Sequence, residues 1–136
     1  MSIEVSAVGL NAEADATVDQ LDGGYVRVYD GARPATVDDA ITTQILLLEL
    51  QFSTPAFGAA GATNPGEAEM SGAISALTSS AGTATWFRVF KSDGTTVVLD
   101  GDVTATGGGG DIEFSKVVWV VGEAIELKTL VYKRPG

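Results

Sequence analysis

The sequence contains no cysteine and no histidine. Disulfide bonds are therefore impossible, and the usual protein ligands of zinc, copper and haem iron are missing. A cysteine nucleophile and a Ser-His-Asp triad are excluded for the same reason. Only chemistry based on carboxylates or lysine remains open to an enzyme, and no constellation for it stands out. We therefore predict a non-enzymatic protein with no cofactor and no bound metal.

Positive charge is also scarce, because 8 Lys and Arg residues stand against 18 Asp and Glu residues and the net charge is −10. Phosphate groups are bound by basic surfaces, so neither nucleic acid nor an anionic membrane surface is an expected partner. Residues 1–4 lack the basic start of a secretory signal, and no run of about 18 apolar residues suggests a membrane-spanning helix.

The chain instead contains short β-branched and aromatic runs that are separated by turns, with 17 glycines in its 136 residues. The clearest pattern is at residues 84–101, where two such runs flank Asp93-Gly94 and predict a β-hairpin. Further strands are predicted at residues 3–8, 25–29, 45–52, 67–75, 102–106, 111–114, 117–121 and 124–132. This density of strands predicts one all-β domain over residues 1–136, a jelly-roll-like two-sheet sandwich, with an immunoglobulin-like sandwich as second choice.

Two segments depart from the strand pattern. Residues 11–21 predict one short N-terminal helix, with Asn11 as its N-cap and a thin apolar stripe. Residues 53–66 form a long loop of small apolar residues. Such a loop is either mobile or packed against a neighbouring chain, and both interpretations stay open.

Acidic residues near the glycine run 107–110 suggest one candidate metal site. Asp100, Asp102 and Asp111 bracket that run, but their spacing does not match a calcium-binding EF-hand loop, so solvated turn aspartates are the favoured interpretation. No Lys-Ser or Lys-Thr pair follows the glycines, which excludes a P-loop. Glycoside hydrolysis needs two carboxylates that flank a sugar, and Asp38 with Asp39 is one such pair. No aromatic platform with an obvious cleft accompanies the pair in the sequence, so a glycoside hydrolase is the least favoured hypothesis.

Arginines beside aromatic residues are candidates for an interface. Arg27 and Arg88 are both predicted in mid-strand, where stacking on a partner and simple surface exposure are equally good explanations. The run 117–121 is apolar at every position, which is typical of a strand that is covered on both faces or covered by a partner.

Several segments, taken in order, resemble small virion proteins of tailed bacteriophages. These segments are the helix at 11–21, Val26-Arg27-Val28-Tyr29-Asp30-Gly31-Ala32-Arg33-Pro34, Ala81-Gly82-Thr83-Ala84-Thr85-Trp86-Phe87-Arg88-Val89-Phe90, Asp93-Gly94-Thr95 and Asp100-Gly101-Asp102-Val103. The group includes head cement, or decoration, proteins with a jelly-roll-like sandwich that bind the outside of the icosahedral shell between capsomers.

The resemblance implies a structural protein on the outer surface of the capsid in the virion. Its expected partners are the major capsid protein and further copies of itself, as a dimer or trimer. The candidate interface residues are Arg27, Arg33, Pro34, Phe57, Trp86, Arg88, Val118 and Trp119. The alternative is a tail- or fibre-associated sandwich that recognises a host-surface glycan through Tyr25, Tyr29, Trp86 and Trp119.

Overall fold

The computed structural model describes residues 3–133, which form mostly β structure with one short N-terminal helix. Helix α1 spans Ala7–Val18 and continues into a 3-10 helix at Asp19–Leu21. Within the described range the strands are β1 (Tyr25–Tyr29), β2 (Leu46–Gln51), β3 (Glu67–Glu69), β4 (Ile74–Leu77), β5 (Gly82–Thr83), β6 (Trp86–Phe90), β7 (Val97–Ala105), β8 (Ile112–Phe114), β9 (Val118–Trp119), β10 (Ala124–Leu127) and β11 (Val131–Lys133).

A five-stranded sheet in the order β2-β1-β6-β7-β8 forms the main layer. The predicted hairpin is confirmed, since β6 and β7 pair antiparallel from Trp86 opposite Asp102 to Phe90 opposite Val97. The edge strand β8 is parallel to β7, whereas the other pairings in the sheet are antiparallel. Three two-stranded ribbons, β4 with β10, β3 with β11 and β5 with β9, complete the β structure of the described residues.

The core lies on one face of the five-stranded sheet. Val26 and Val28 of β1 are fully buried there together with Leu48 and Leu50 of β2. This outcome confirms the predicted alternation on β1, in which the two valines share a face. Helix α1 packs against β3 and β11 and buries Val18 in the same core, so the helix depends on β structure for its stability.

The helix begins earlier than predicted, and the strand predicted at residues 3–8 is wrong. Ser6 is the N-cap, and its Oγ accepts a hydrogen bond from the Gly9 N–H at 3.3 Å. A serine can accept this bond as well as an asparagine can, so both Ser6 and Asn11 were competent caps by residue type. Asn11 lies inside the helix and uses its side chain elsewhere.

The strand predicted at 124–132 is divided in the structure. Its first part, β10, pairs with β4, and its last part, β11, pairs with β3, so the chain changes partner between Leu127 and Val131. The strand predicted at 117–121 is also shorter than expected, because ladder pairing is confined to Val118 and Trp119 in β9.

Three side chains from the helical region hold the long loop 53–66 against its own chain. Asn11 Oδ1 accepts the Gly66 N–H at 2.9 Å, Asp15 Oδ1 accepts the Ala60 N–H at 2.8 Å, and Asp22 Oδ1 accepts the Ala56 N–H at 2.8 Å. The loop also runs beside β3, where Glu69 O accepts the Gly58 N–H. These hydrogen bonds fasten the loop to its own chain, and its packing against a neighbouring chain stays a prediction.

The turn between β6 and β7 is organised by the predicted Asp-Gly pair. Gly94 has a φ of 73°, a conformation that glycine adopts without the cost that other residues bear. Asp93 Oδ1 accepts the N–H groups of Thr95 and Thr96, each at 2.9 Å, and Asp93 Oδ2 accepts the Thr96 hydroxyl.

We expect the Asp93 carboxyl to remain ionised in acid. Its hydrogen bonds, first of all the one from the Thr96 side chain, lower its pKa from 3.8 to about 2. Because the folded pKa lies below the unfolded one, the stabilisation is complete above pH 4 and is lost as the pH falls through about 2. NMR titration of the side-chain carboxyl carbon measures this directly. Thr96→Val should raise the midpoint, and a wild-type midpoint near 4 would contradict the assignment.

Candidate interaction surface

The face of the five-stranded sheet that points away from the core carries a row of arginine and aromatic side chains. Between β1 and β6 the directly opposed pairs are Tyr25 with Phe90, Arg27 with Arg88, and Tyr29 with Trp86. Two arginines directly opposite one another repel, so each requires a partner of opposite charge.

Both arginines find an acidic partner on the outer neighbouring strand. Arg88 binds Asp100 through two contacts, Nε to Oδ1 at 2.7 Å and Nη2 to Oδ2 at 2.9 Å, and donates from Nη1 to the main-chain oxygen of Asp39 at 2.8 Å. Arg27 Nε lies 2.7 Å from Glu49 Oε2. The hydrogen bond to Asp100 raises the pKa of the Arg88 guanidinium above its ordinary value.

The segment 30–45 covers the Trp86 end of this row. The Tyr29 and Trp86 rings stack with centroids 4.6 Å apart, and Trp86 Nε1 donates to the main-chain oxygen of Asp30 at 3.1 Å. Arg33 anchors the same segment to β7 through Asp102 at 3.0 Å. Burial of the stacked pair raises the pKa of the Tyr29 phenol. The sheet is therefore covered on both faces at this end.

Four of the predicted interface side chains are buried within the chain itself. They are Phe57, Trp86, Arg88 and Trp119, none of them more than 6% exposed. Their role at a partner interface stays a prediction, but their burial by other segments of the same chain was not expected. The reason is that an aromatic run predicts a strand without showing which of its faces another segment will cover. Trp119, for example, packs edge-on against Phe114 and donates to the Lys116 main-chain oxygen at 2.9 Å.

The other four predicted residues reach solvent to different degrees. The Arg33 side chain is 42% exposed while paired with Asp102, and Arg27 is partly exposed beside Glu49. Pro34 is half-buried, and Val118 is 66% exposed. A single exposed apolar side chain such as Val118 is ordinary, and it indicates an interaction surface only where it belongs to a larger apolar patch.

Val118 belongs to a group that we call the apolar end, defined by Leu77, Val118, Val120 and Val121. Each of these side chains is at least 64% exposed. Hydrogen bonds through Thr78 hold the two contributing segments together: the Thr78 hydroxyl donates to the Val120 main-chain oxygen, and the Gly122 N–H donates to the Thr78 main-chain oxygen. The sequence pattern singled out the run 117–121 but not Leu77. Leu77 ends an apolar strand and is followed by uncharged residues, which is the feature that indicates it.

The apolar end is free of charge in a strongly acidic protein. Neither residues 74–85 nor residues 117–122 include an Asp, Glu, Lys or Arg. The flanking charges, Lys116 and Glu123, pair with one another. Lys116, together with the Val120 N–H, lowers the pKa of the Glu123 carboxyl. Lys116 and Glu123 therefore neutralise one another at this border, whereas Glu126 of β10 lies on the same exposed face as Leu77 and places a negative charge at another border.

The acidic residues around the glycine run do not form a metal-binding cluster. Asp100 binds Arg88, Asp102 binds Arg33, and Asp111 Oδ2 accepts the Asp102 N–H at 2.9 Å. Nowhere in residues 3–133 do three or more acidic side chains come together as a set able to hold a metal ion.

The glycine run itself binds a carboxylate of its own chain. Glu113 accepts the N–H groups of Gly107 and Gly109, each at 3.1 Å. These N–H groups are therefore already occupied, which agrees with the interpretation of the run as a turn between two strands.

Comparison with known proteins found no matching family model, no matching curated protein and no matching solved structure. Over residues 3–133, no helix has the length and apolar character needed to cross a membrane.

We expect Asp100→Asn to destabilise the fold strongly. The Arg88 and Asp100 side chains are only 3% and 1% exposed, and removing one charge of a buried pair typically costs about 3–5 kcal/mol. Asp102→Asn is the matched control two residues away, because its pair with Arg33 is exposed and exposed pairs contribute about 0–1 kcal/mol. Urea denaturation of both variants tests the difference, and equal losses of stability would contradict it.

Proposed function

We propose that the protein is a non-enzymatic structural protein of a bacteriophage virion. In this proposal it binds the outer surface of the icosahedral capsid and stabilises the shell by bridging major capsid subunits. The sequence resemblance described above supplies the class of protein. The observation that carries the proposal is the apolar end, an uncharged surface on a chain with a net charge of −10.

Burying the apolar end against a shell subunit supplies the binding free energy. Complete burial of a Val or Leu side chain contributes about 1.5–3 kcal/mol, and part of that is offset by the loss of freedom on association. A single contact of this size is modest. On a symmetric shell, however, each copy that bridges two subunits adds its binding free energy to the assembled state only.

The acidic remainder of the protein supports an outward-facing role. A high net charge keeps a surface hydrated and prevents non-specific association. An orientation with the apolar end on the shell and the acidic surface in solvent satisfies both requirements. Symmetric self-association, as a dimer or trimer on the shell, belongs to the same proposal.

We also propose that the fold is a jelly-roll-like two-sheet sandwich. The five-stranded sheet provides one layer, and the ribbons β4 with β10 and β3 with β11 provide the strands for the second. Residues of both groups, such as Leu48 and Leu127, share one core. The parallel pairing of β7 and β8 is a departure from the antiparallel pattern of such sandwiches.

The glycan-binding alternative receives no comparable support. It relied on Tyr25, Tyr29, Trp86 and Trp119 as stacking platforms for sugar rings, and of these four side chains only that of Tyr25 is not buried. The capsid proposal therefore takes precedence.

The test is co-sedimentation with phage heads assembled without the protein. We expect saturable binding at a stoichiometry set by the lattice, together with a higher melting temperature of the heads. The double variant Val118→Asp/Val120→Asp should bind at least about tenfold more weakly, since a loss of 1.4 kcal/mol corresponds to a factor of ten.

The control is Ile3→Asp/Val8→Asp, which adds the same charge at two side chains that are 88% and 80% exposed at the N-terminal end of the chain. This variant should bind as the wild type does. Absence of saturable binding by the wild type would overturn the capsid proposal. Equal binding by both double variants would show that the apolar end is not the contact.

A further inference from the structure

A cleft of about 210 Å³ lies between strand β7 and strand β11. Its walls are mostly apolar and include Leu21, Phe57, Phe87, Val89 and Leu130. Residues 99–100 of β7 line one side, and residues 131–133 of β11 line the other. The cleft lies among core residues of the sheet, outside the apolar end.

The β7 side of the cleft exposes main-chain groups that have no strand partner. The Val103 N–H donates to the Thr85 main-chain oxygen at 3.0 Å, so the main-chain groups of Val103, and of every second residue of β7 before it, point toward β6. Because hydrogen-bonded and non-bonded pairs alternate, the N–H and C=O of Asp100 point away from β6. On that side β8 pairs only with residues 103–105, so among the described residues no strand pairs with β7 at Asp100.

The β11 side shows the same feature. The Met70 N–H donates to the Leu130 main-chain oxygen at 2.9 Å, so the N–H and C=O of Val131, one residue further along, point away from β3. The other side of β3 agrees with this. Glu69, the residue opposite Val131, directs its main-chain oxygen away from β11, where it accepts the Gly58 N–H from the loop. Strand β11 is thus an edge strand whose free side borders the cleft, as judged from residues 3–133.

We infer that this cleft binds an extended peptide segment of another polypeptide, which adds as a strand beside β11 and β7. Unpaired main-chain N–H and C=O groups on both sides select an extended backbone rather than a helix or a small molecule. An apolar cavity of about 150 Å³ accommodates a benzene ring, so this cleft is large enough for an apolar side chain of the peptide.

The expected peptide has a defined pattern. Successive side chains of a strand point to opposite sides, so apolar residues at alternate positions enter the cleft and the residues between them face solvent. Lys133 and Asp111 line the cleft with opposite charges. This inference does not depend on the capsid proposal.

The probe is a yeast-displayed library of random decapeptides, selected against the full chain. We expect selected peptides to carry apolar residues at every second position. N-methylation of a selected peptide at single positions should weaken binding at successive positions of the paired stretch, because its N–H groups point alternately to β11 and to β7.

The decisive pair of variants is Val131→Pro and Val131→Ala. Proline removes the N–H that points into the cleft and is tolerated on an edge strand at a position that does not bond its neighbour. Alanine shortens the same side chain, which is 43% exposed, and keeps the N–H. We expect Val131→Pro to weaken peptide binding at least tenfold and Val131→Ala to stay within threefold of the wild type.

Hydrogen exchange supplies a measurement on the unmodified protein. The Asp100 and Val131 amides should exchange faster than the paired amides of Leu99 and Tyr132, and the peptide should protect them. Slow exchange of both amides without peptide would overturn the inference. A selection without binders, or N-methylation without effect, would overturn it as well. If Val131→Pro fails to fold, the N-methyl series on the wild type decides the question.

Discussion

The buried ion pair between Arg88 and Asp100 is the constraint on which the outer face of the sheet depends. A guanidinium in the protein interior is stable only when its charge and its hydrogen-bond donors are all satisfied. The Asp100 carboxylate accepts hydrogen bonds from Nε and Nη2 of Arg88, and the main-chain oxygen of Asp39 accepts one from Nη1. The second contact draws the segment 30–45 onto the sheet, and that segment in turn covers the stacked rings of Tyr29 and Trp86. This buried charge thus helps to position an otherwise irregular connection, together with the Arg33–Asp102 pair and the hydrogen bond from Trp86 to Asp30.

Several acidic residues hold irregular segments of the chain in place, a role that the net charge does not predict. Composition predicts a solvated acidic surface, and several carboxylates fit that description. Others bind main-chain N–H groups within the chain: Asp15 and Asp22 hold the loop 53–66, and Glu113 occupies the glycine run. A carboxylate is a strong acceptor for N–H groups that lack a strand partner. The irregular connections of this protein are ordered largely in this way.

The sequence predicted the elements whose signal is local, and it missed the features that depend on contacts between distant segments. The hairpin at Asp93-Gly94 and the alternation of Val26 and Val28 follow from turn chemistry and from side-chain period, and both are confirmed. The start of the helix was misplaced because Ser6 and Asn11 are both good caps, and only the loop that Asn11 binds decides between them. The local sequence does not predict that Val118 is exposed and that Trp86 is buried, since each outcome depends on whether a remote segment covers the side chain.

The pairing of the last two strands also determines when the fold can be completed. The ladder partners of β3 and β4, which are β11 and β10, lie further along the chain and are synthesised after them. Pairings between remote segments close large loops and form slowly. On the ribosome, the chain therefore carries β3 and β4 without these partners until residues 124–133 have emerged. The two ribbons can therefore close only after all strands of the five-stranded sheet have been synthesised.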